Sequence, residues 1–409
     1  MHILFFSHYF PPEGNAPATR VHSMGRRWIE KGHKVTVITS APNVPNGIVY
    51  DGYKNKLWQS EYIDGIRVIR IWTFLAANAG STKRILNYLT YMFSSLFFSF
   101  FVSKVDLVMS TSPQFFCGWA GLLRAKLSFK KNILEIRDIW PESIVAVGAM
   151  KNKKLLAIFE WLELKMYKWS THIVTVGNGY KANLLAKKVP DKKVDVITNG
   201  LDIDTFCAKD KNQDLLKRYK IEDKFIISYT GTIGLACGLT VVIEAAQQLK
   251  SQTDNSTHFL IVGDGAERKN LEMKANELDL ADWITFTGRQ DKDMVVDLIA
   301  SSDACLVHLK KSDLFKTVIP SKIFEAAGME KPIIMGVDGD ARAIVEKAGA
   351  GLFMEPENTE ELLKAIKTLK EDPKLRTKMG TDGNLYIKKH FDRENLAENY
   401  MKICKKVLN

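Results

Sequence analysis

The sequence has no run apolar enough to cross a bilayer. Its most apolar stretch, YLTYMFSSLFFSFFV at residues 88–102, is 15 residues long, against the roughly 20 that a spanning helix needs. Lys83-Arg84 and Lys104 flank it. The stretch is expected as a buried or half-buried helix, or as one whose apolar face dips into a membrane interface beside those cations. The five cysteines, Cys117, Cys207, Cys237, Cys305 and Cys404, form no CxxC pair and no metal-ligand spacing. That pattern excludes a zinc module and leaves buried apolar thiols in a reducing compartment. No basic leader or small-residue cleavage site accompanies the apolar residues 2–10, which run directly into Pro11-Pro12. A first buried strand and a cytoplasmic location are expected. Short repeats and low-complexity tracts are missing too, which excludes solenoids and collagen-like chains.

What is present points to two globular domains. The chain has 409 residues, 46% hydrophobic and 26% charged, too long for one ordinary domain. The net charge of +11 lies wholly in residues 1–180, which hold 22 Lys and Arg against 11 Asp and Glu; residues 181–409 hold 36 of each sign. No basic-aromatic recognition module or finger spacing accompanies this excess, so no nucleic acid partner is expected. An anionic membrane face or a polyprenyl-diphosphate-linked acceptor accounts for it, as does a solvated basic surface. Short apolar runs alternate with amphipathic stretches, at residues 3–6, 34–39, 66–72, 105–109, 132–136 and 172–176 and again from 225 onward. Alternating strands and helices imply a mostly parallel sheet covered on both faces. The expected fold class is therefore α/β, with two Rossmann-like doubly wound domains facing a central cleft. Their expected extents are 1–200, rejoined by a C-terminal helix at 391–409, and 201–390. Ligands of such sheets bind beyond the carboxyl ends of the strands.

Residues 318–334, VIPSKIFEAAGMEKPII, carry the sharpest chemical signal. Lys322 and Glu325 stand three apart at the start of a helical run, hence on one face. A lysine beside a helix start holds a diphosphate, and a carboxylate one turn on accepts ribose hydroxyls. The loop from Gly231 to Gly238, after one strand, is expected to cradle a diphosphate or equally to announce a dinucleotide site, and Gly263-Asp264-Gly265, after the next, to wall the nucleotide pocket or to be a strand-to-helix turn capped by Asp264. Arg289, in Thr287-Gly288-Arg289, is expected to line the base or the phosphates, or to be a surface arginine. In the first half, the loop containing Gly14 and Asn15 suits a phosphate at a helix start, glycine allowing close backbone approach and positive φ. Asp138, in Glu135-Ile136-Arg137-Asp138, lies past a strand end and is placed to orient or deprotonate an acceptor hydroxyl. Arg137 is expected to meet a phosphate or to pair with Asp138 or Glu142. His8 and His308 also sit at strand ends. The DxD triplets at Asp202-Asp204 and Asp338-Asp340 are read as structural, so no metal is assigned.

Taken together, PPEGNAPATR near the start, IRDIWPES, Asn199-Gly200, the Gly231 and Gly263 loops and KIFEAAGMEKPII resemble the family 4 (GT4) glycosyltransferases, retaining enzymes of the GT-B fold. The likeness is strongest to their bacterial polysaccharide-biosynthesis branch. It implies transfer from a nucleotide sugar, UDP-glucose by default, to a glycan or lipid-linked acceptor, without metal or other cofactor and at the inner face of the plasma membrane. It places Glu325, the second glutamate of the family's EX7E motif, on the ribose, and Gly14 near the donor diphosphate. It places Asp138 near the transferred sugar. The catalytic set is then Asp138, Lys322 and Gly14. The donor set adds Gly231, Thr232, Gly263, Gly265, Arg289, Ser321, Ile323 and Asn15 to Glu325. The sequence departs from the family at Thr317, where the first glutamate of EX7E would stand. It departs again at Thr232 and Cys237, where an arginine and a lysine commonly hold the diphosphate. Lys322 is the best substitute, Arg289 the next. A UDP-sugar 2-epimerase shares the two-domain architecture and is the alternative enzyme. A solute-binding protein and an NAD-linked dehydrogenase fit the leader and the glycine spacing less well.

Overall fold

The computed structural model describes residues 1–76, 81–112, 114–146 and 152–409. The chain forms two compact units, Met1–Asn199 with Arg393–Asn409, and Gly200–Asp392. The first unit has strands β1 (His2–Phe6), β2 (Lys34–Ser40), β3 (Trp58–Ile63), β4 (Ile66–Ile71), β5 (Leu107–Thr111), β6 (Lys131–Ile136), β7 (His172–Thr175) and β8 (Val194–Val196). Its helices are α1 (Ala16–Glu30), α2 (Ser81–Ser99), α3 (Phe115–Leu127), α4 (Glu142–Ala146), α5 (Lys153–Trp169) and α6 (Asn178–Ala186). The sheet order is β3-β4-β2-β1-β5-β6-β7-β8. Every pairing is parallel except that of β3 with β4. The central β1 is buried along its whole length, as a strand covered on both faces must be.

The second unit has β9 (Phe225–Thr230), β10 (Thr257–Val262), β11 (Ile284–Gly288), β12 (Ala304–His308), β13 (Ile333–Gly336) and β14 (Gly351–Phe353). Around them lie α7 (Gln213–Tyr219), α8 (Thr240–Ser251), α9 (Arg268–Glu277), α10 (Lys292–Ala300), α11 (Lys322–Gly328), α12 (Asp340–Lys347), α13 (Thr359–Glu371) and α14 (Pro373–Phe391). All strands pair in parallel in the order β11-β10-β9-β12-β13-β14. Counted within the unit this is 3-2-1-4-5-6, the doubly wound order, with its switch point between β9 and β12.

The last helix, α15 (Arg393–Leu408), belongs to the first unit. Trp28 of α1 is fully buried and meets Tyr400 edge-on, with ring centroids 5.4 Å apart. The Trp28 indole donates to the Ala397 carbonyl at 3.1 Å, and Lys31 pairs with Glu394 at 2.9 Å. The alternation expected from the sequence is borne out. The antiparallel edge strand β3 was not anticipated: none of its residues is buried, and Gln59, Ser60 and Glu61 break its apolar run. Asp64-Gly65, both at positive φ, supplied a hairpin signal.

Arg20 ties the first unit together. Its guanidinium, buried on α1, bonds the Glu135 carboxylate at the end of β6 at 3.0 Å. It also donates to the carbonyls of Ile197 and Thr198, at 2.8 and 2.6 Å, and to the Asn199 side chain at 3.3 Å. Replacing one partner of such a pair strands the other charge, at about 3–5 kcal/mol. Arg20→Ala is expected to lower stability by that order, seen as an earlier denaturant midpoint.

Candidate functional site

In the second unit the loop after β9 and the start of α11 converge. Gly231, at φ +122°, carries no Cβ, and one built there would lie 2.7 Å from the Lys322 Nζ. Glycine at this position makes room for an ammonium. The Lys322 Nζ sits 4.7 Å from the centroid of the Tyr229 ring. Lys322 makes no ion pair or hydrogen bond among the described residues, and burial holds its pKa below the ordinary lysine value. The Tyr229 hydroxyl is turned away, donating to the Thr232 carbonyl at 2.7 Å. That same carbonyl accepts the Cys237 thiol at 3.1 Å. The result is a partly desolvated cation, attracted by Glu325 through space but not paired with it, over a glycine loop at the switch point, an arrangement suited to an anion.

The other glycines serve the backbone. A Cβ on Gly263 would fall 1.8 Å from the Gly231 carbonyl oxygen, and one on Gly265 would fall 2.4 Å from that of Ile233. The two loops are stitched by Gly231 N–H to Val262 O at 2.8 Å and Ile233 N–H to Asp264 O at 3.0 Å. Gly263 and Gly265 therefore hold the Gly231 loop in place. Thr232 and Arg289 are exposed. Glu325 is half-buried in the first turn of α11. Ser321 precedes that helix without a side-chain cap. Ile323 points into the core, and its amide is bonded to the Pro320 carbonyl at 3.3 Å. Thr317, where the first glutamate of EX7E would stand, donates to the Leu314 carbonyl at 2.8 Å.

His308 is satisfied on both sides. Its Nε2 accepts the Glu357 amide at 2.9 Å, which leaves Nδ1 to donate to the Cys237 carbonyl at 2.7 Å. It is a neutral clamp between loops, and burial lowers its pKa accordingly. Of the DxD acids, Asp338 lies among Arg342 at 3.6 Å and Lys316 at 3.9 Å.

In the first unit the loop after β1 approaches α1 differently from expectation. Gly14 is exposed, has no positive φ, and nothing lies within 4 Å of a Cβ built on it. The chain itself demands no glycine there. Asn15 caps α1, its Oδ1 accepting the Ala18 amide at 3.0 Å. Glu13 is buried and accepts the amides of Asn43 and Val44, at 2.9 and 3.1 Å. His8 is sealed among the rings of Tyr9, Tyr88 and Tyr91. Burial drives its pKa down to about 3, so it stays neutral.

Past β6, burial raises the Asp138 pKa, against hydrogen bonds from the Ser143 side chain and the Ile139 backbone. Trp140 anchors the turn between Phe115 and Phe159, at centroid distances of 4.6 and 4.5 Å. Glu142 pairs with Lys187 at 2.8 Å and accepts Asn183 at 3.1 Å. The expected pairing of Arg137 with Asp138 or Glu142 is absent: its Nε and Nη1 are buried without a partner. Sequence reasoning could not foresee this, because Lys187 is remote in the chain and takes Glu142 first.

The apolar stretch at 88–102 forms most of α2 and the turn after it. Tyr91 is buried, whereas Phe93, Phe97 and Phe101 are 63%, 62% and 65% exposed. Among the described residues no helix is long and apolar enough to cross a membrane.

Residues 17–205 match the family described as Glycosyltransferase Family 4, and residues 211–385 match Glycosyl transferases group 1. The chain is 26% identical to WcaI of Escherichia coli K12, a protein named for a glycosyl transferase role in colanic acid biosynthesis; the match covers 98% of this chain and 99% of that one. Among solved structures it is similar to sucrose-phosphate synthase of Thermosynechococcus elongatus, with a TM-score of 0.77 at 16% identity over 99% and 98% of the two chains. It is similar also to Anabaena HepE in complex with UDP-glucose, with a TM-score of 0.74 at 14% identity over 99% and 100%. The fold of the two sheets is that of GT-B glycosyltransferases.

Gly231→Ala tests the lysine seat. The new methyl would have to displace the ammonium at a strained φ, a conformation that costs of order 1–3 kcal/mol. The expected outcome is a lower melting temperature and a Lys322 amine newly open to acylation, read by mass spectrometry.

Proposed function

We propose that this chain, a glycosyltransferase of GT-B fold with a family 4 first half and a group 1 second half, moves a sugar from a nucleoside diphosphate to a hydroxyl of a polysaccharide or lipid-linked glycan. The transfer retains configuration and uses no metal ion. The observation that carries the reading is the Lys322 ammonium over Gly231, which has no direct ion pair or hydrogen bond among the described residues. Charge grows on the β-phosphate as the sugar departs, and a preorganised cation in a partly dry site stabilises it. Glu325, one turn along α11, accepts the ribose hydroxyls. Asp138 orients the acceptor hydroxyl, and a phosphate oxygen of the leaving diphosphate takes its proton. UDP-glucose is the preferred donor in this reading, supported by the likeness to HepE in complex with UDP-glucose. The full-length likeness to WcaI supports a bacterial polysaccharide product. A 2-epimerase finds no support in either matched family.

The first unit is the acceptor side, and its exposed Phe93, Phe97 and Phe101 with Lys83, Arg84 and Lys104 rest on an anionic leaflet at the cytoplasmic face. Glutamates at Phe97 and Phe101 are expected to abolish sedimentation with anionic vesicles; undiminished sedimentation refutes the docking.

Lys322→Ala is expected to reduce turnover tenfold or more, since a charge-assisted hydrogen bond contributes about 1.5–3 kcal/mol. Unchanged kinetics remove the lysine from the site. The pH dependence carries a sign. The Lys322 pKa is depressed by burial, so the charged form is lost at lower pH than for a free lysine. Calorimetric UDP affinity should fall as pH rises through that lowered pKa, and Lys322→Arg should move the fall to higher pH. Asp138 is shifted upward, so an ionised Asp138 is lost as pH falls through a value above the usual aspartate range. The acid limb of kcat/KM should lie there and vanish in Asp138→Asn.

A further inference from the structure

The turns that lead into β5, β6 and β7 lie side by side at the amino edge of the first sheet, because those strands are parallel neighbours. Asp138 follows the carboxyl end of β6, at the opposite edge. Each of the three turns presents an apolar side chain to water: Phe101 before β5, Leu127 and Phe129 before β6, and Trp169 before β7. Phe129 is the extreme case. It is 97% exposed and stands at φ +54°, a left-handed backbone that a bulky side chain rarely adopts. The turn is closed by main-chain bonds, Phe129 N–H to Lys126 O at 3.2 Å and Lys130 N–H to Ala125 O at 2.8 Å. This is the Schellman ending of α3, and its left-handed position is usually glycine. The fold needs the turn and gains nothing from the ring.

The three turns form one surface. The Arg124 guanidinium donates to the Ser99 carbonyl at 3.4 Å and lies 4.6 Å from the centroid of the Phe100 ring, which joins the end of α3 to the first turn. The Lys126 Nζ sits 4.6 Å from the Trp169 ring centroid, and Trp169 meets Trp119 of α3 edge-on at 5.8 Å. The Asn132 amide donates to the Thr171 hydroxyl at 3.1 Å, and the Thr171 amide donates to the Asn132 side chain at 2.9 Å, so the second turn is held to the third. Charge of one sign runs through the surface. Residues 124–131 contain Arg124, Lys126, Lys130 and Lys131; residues 99–105 add Lys104, and 165–169 add Lys165 and Lys168. None of the three segments contains an acid. Single exposed apolar residues are ordinary, but a contiguous set marks a contact surface. Rings set between ammonium groups suit the headgroup layer of an anionic leaflet. The same charge disfavours a second copy of this chain, whose matching surface carries the same sign.

We propose that the amino edge of the first unit is a membrane footing. Phe101, Leu127, Phe129 and Trp169 enter the interface of an anionic leaflet, and the lysines among them meet its phosphates. The footing rests on the leaflet contact proposed above for the outer face of α2, which it joins at Phe101, and it extends that contact to a second set of elements. It also gives the contact a direction. With the amino edge turned to lipid, the carboxyl edge of the sheet carries Asp138 away from the headgroups.

Sedimentation of the full chain with vesicles tests it, using phosphatidylglycerol mixed with phosphatidylcholine against phosphatidylcholine alone. The chain should bind the mixed vesicles at least tenfold more tightly. Phe129→Gly should cut that partition tenfold or more while its melting temperature stays at or above that of the parent, since glycine suits the left-handed position. Lost binding then cannot be put down to misfolding, and undiminished partition overturns the footing. Should Phe129→Gly melt lower, a variant with Lys126→Gln, Lys130→Gln and Lys131→Gln decides: losing the preference for the anionic vesicle supports the footing, and keeping it overturns it. Phe93→Glu with Phe97→Glu separates the two contacts. If that pair abolishes partition and Phe129→Gly does not, the α2 contact stands and the footing falls; the reverse keeps the footing and removes the α2 contact, and loss in both supports a shared footprint. Amide exchange on vesicles gives a second reading, with slower exchange expected at 127–131 and protection confined to 88–99 counting against the footing. A chain that binds neither vesicle overturns both contacts. A concentration-dependent dimer that Phe129→Gly dissolves, without vesicle binding, identifies a second copy as the occupant and overturns the proposal.

Discussion

A buried ammonium with no direct ion pair among the described residues, attracted by Glu325 only through space, marks the candidate site of the second unit. Lys322 reaches from α11 to the loop after β9, and three features let it rest there: the missing side chain of Gly231, the face of Tyr229 and the absence of a bonded carboxylate. A cation over an aromatic ring gains about 0.5–2 kcal/mol, less than a good ion pair offers. The site is therefore held short of electrostatic satisfaction by its own architecture. The surrounding details preserve that state. Gly263 and Gly265 bring the neighbouring loop into backbone contact with Gly231 and Ile233. His308 clamps Cys237 to Glu357 and stays uncharged while doing so. Cys237, on the same loop, is a buried thiol bonded to the Thr232 carbonyl and brings no charge of its own.

The first unit shows the opposite strategy. Its buried charges are mostly matched: Arg20 with Glu135, Lys187 with Glu142 and Glu163, Arg70 with Glu61. Such pairs fix loops at the carboxyl ends of β6 and β7, since moving any one of them strands a charge. Against this background Arg137 and Arg124 keep buried nitrogens without a partner, and burial raises the pKa of Asp138 beside Arg137. Perturbed pKa values cluster at functional sites, though structural ion-pair networks shift them as well.

The strand and helix alternation was legible because buried parallel strands read as short apolar runs, and the runs at 3–6 and 225–229 fall inside β1 and β9. The edge strand β3 was missed because half of it faces solvent and its composition is polar. Within the candidate site, Lys322 and Glu325 were visible as a pair by helical spacing. What spacing could not reveal was that Lys322 sits over Gly231, a contact between residues far apart in sequence. Nor could it separate glycines that admit a neighbouring backbone, such as Gly263, from one with empty space beside it, such as Gly14. Such distinctions depend on tertiary distance, which a local pattern does not encode.

The return of α15 to α1 has a consequence for biosynthesis. Trp28, Val21 and Met24 share a core with Leu396, Ala397, Tyr400 and Met401. The ribosome delivers the first unit's opening 199 residues early but its closing helix only after the whole second unit. Until that helix emerges, a tryptophan-bearing groove on the nascent chain faces water or a chaperone, while the uninterrupted second unit has everything it needs to consolidate. The unit that is begun first is thus completed after the other, so any chain released before α15 would be left with its oldest segment unsealed.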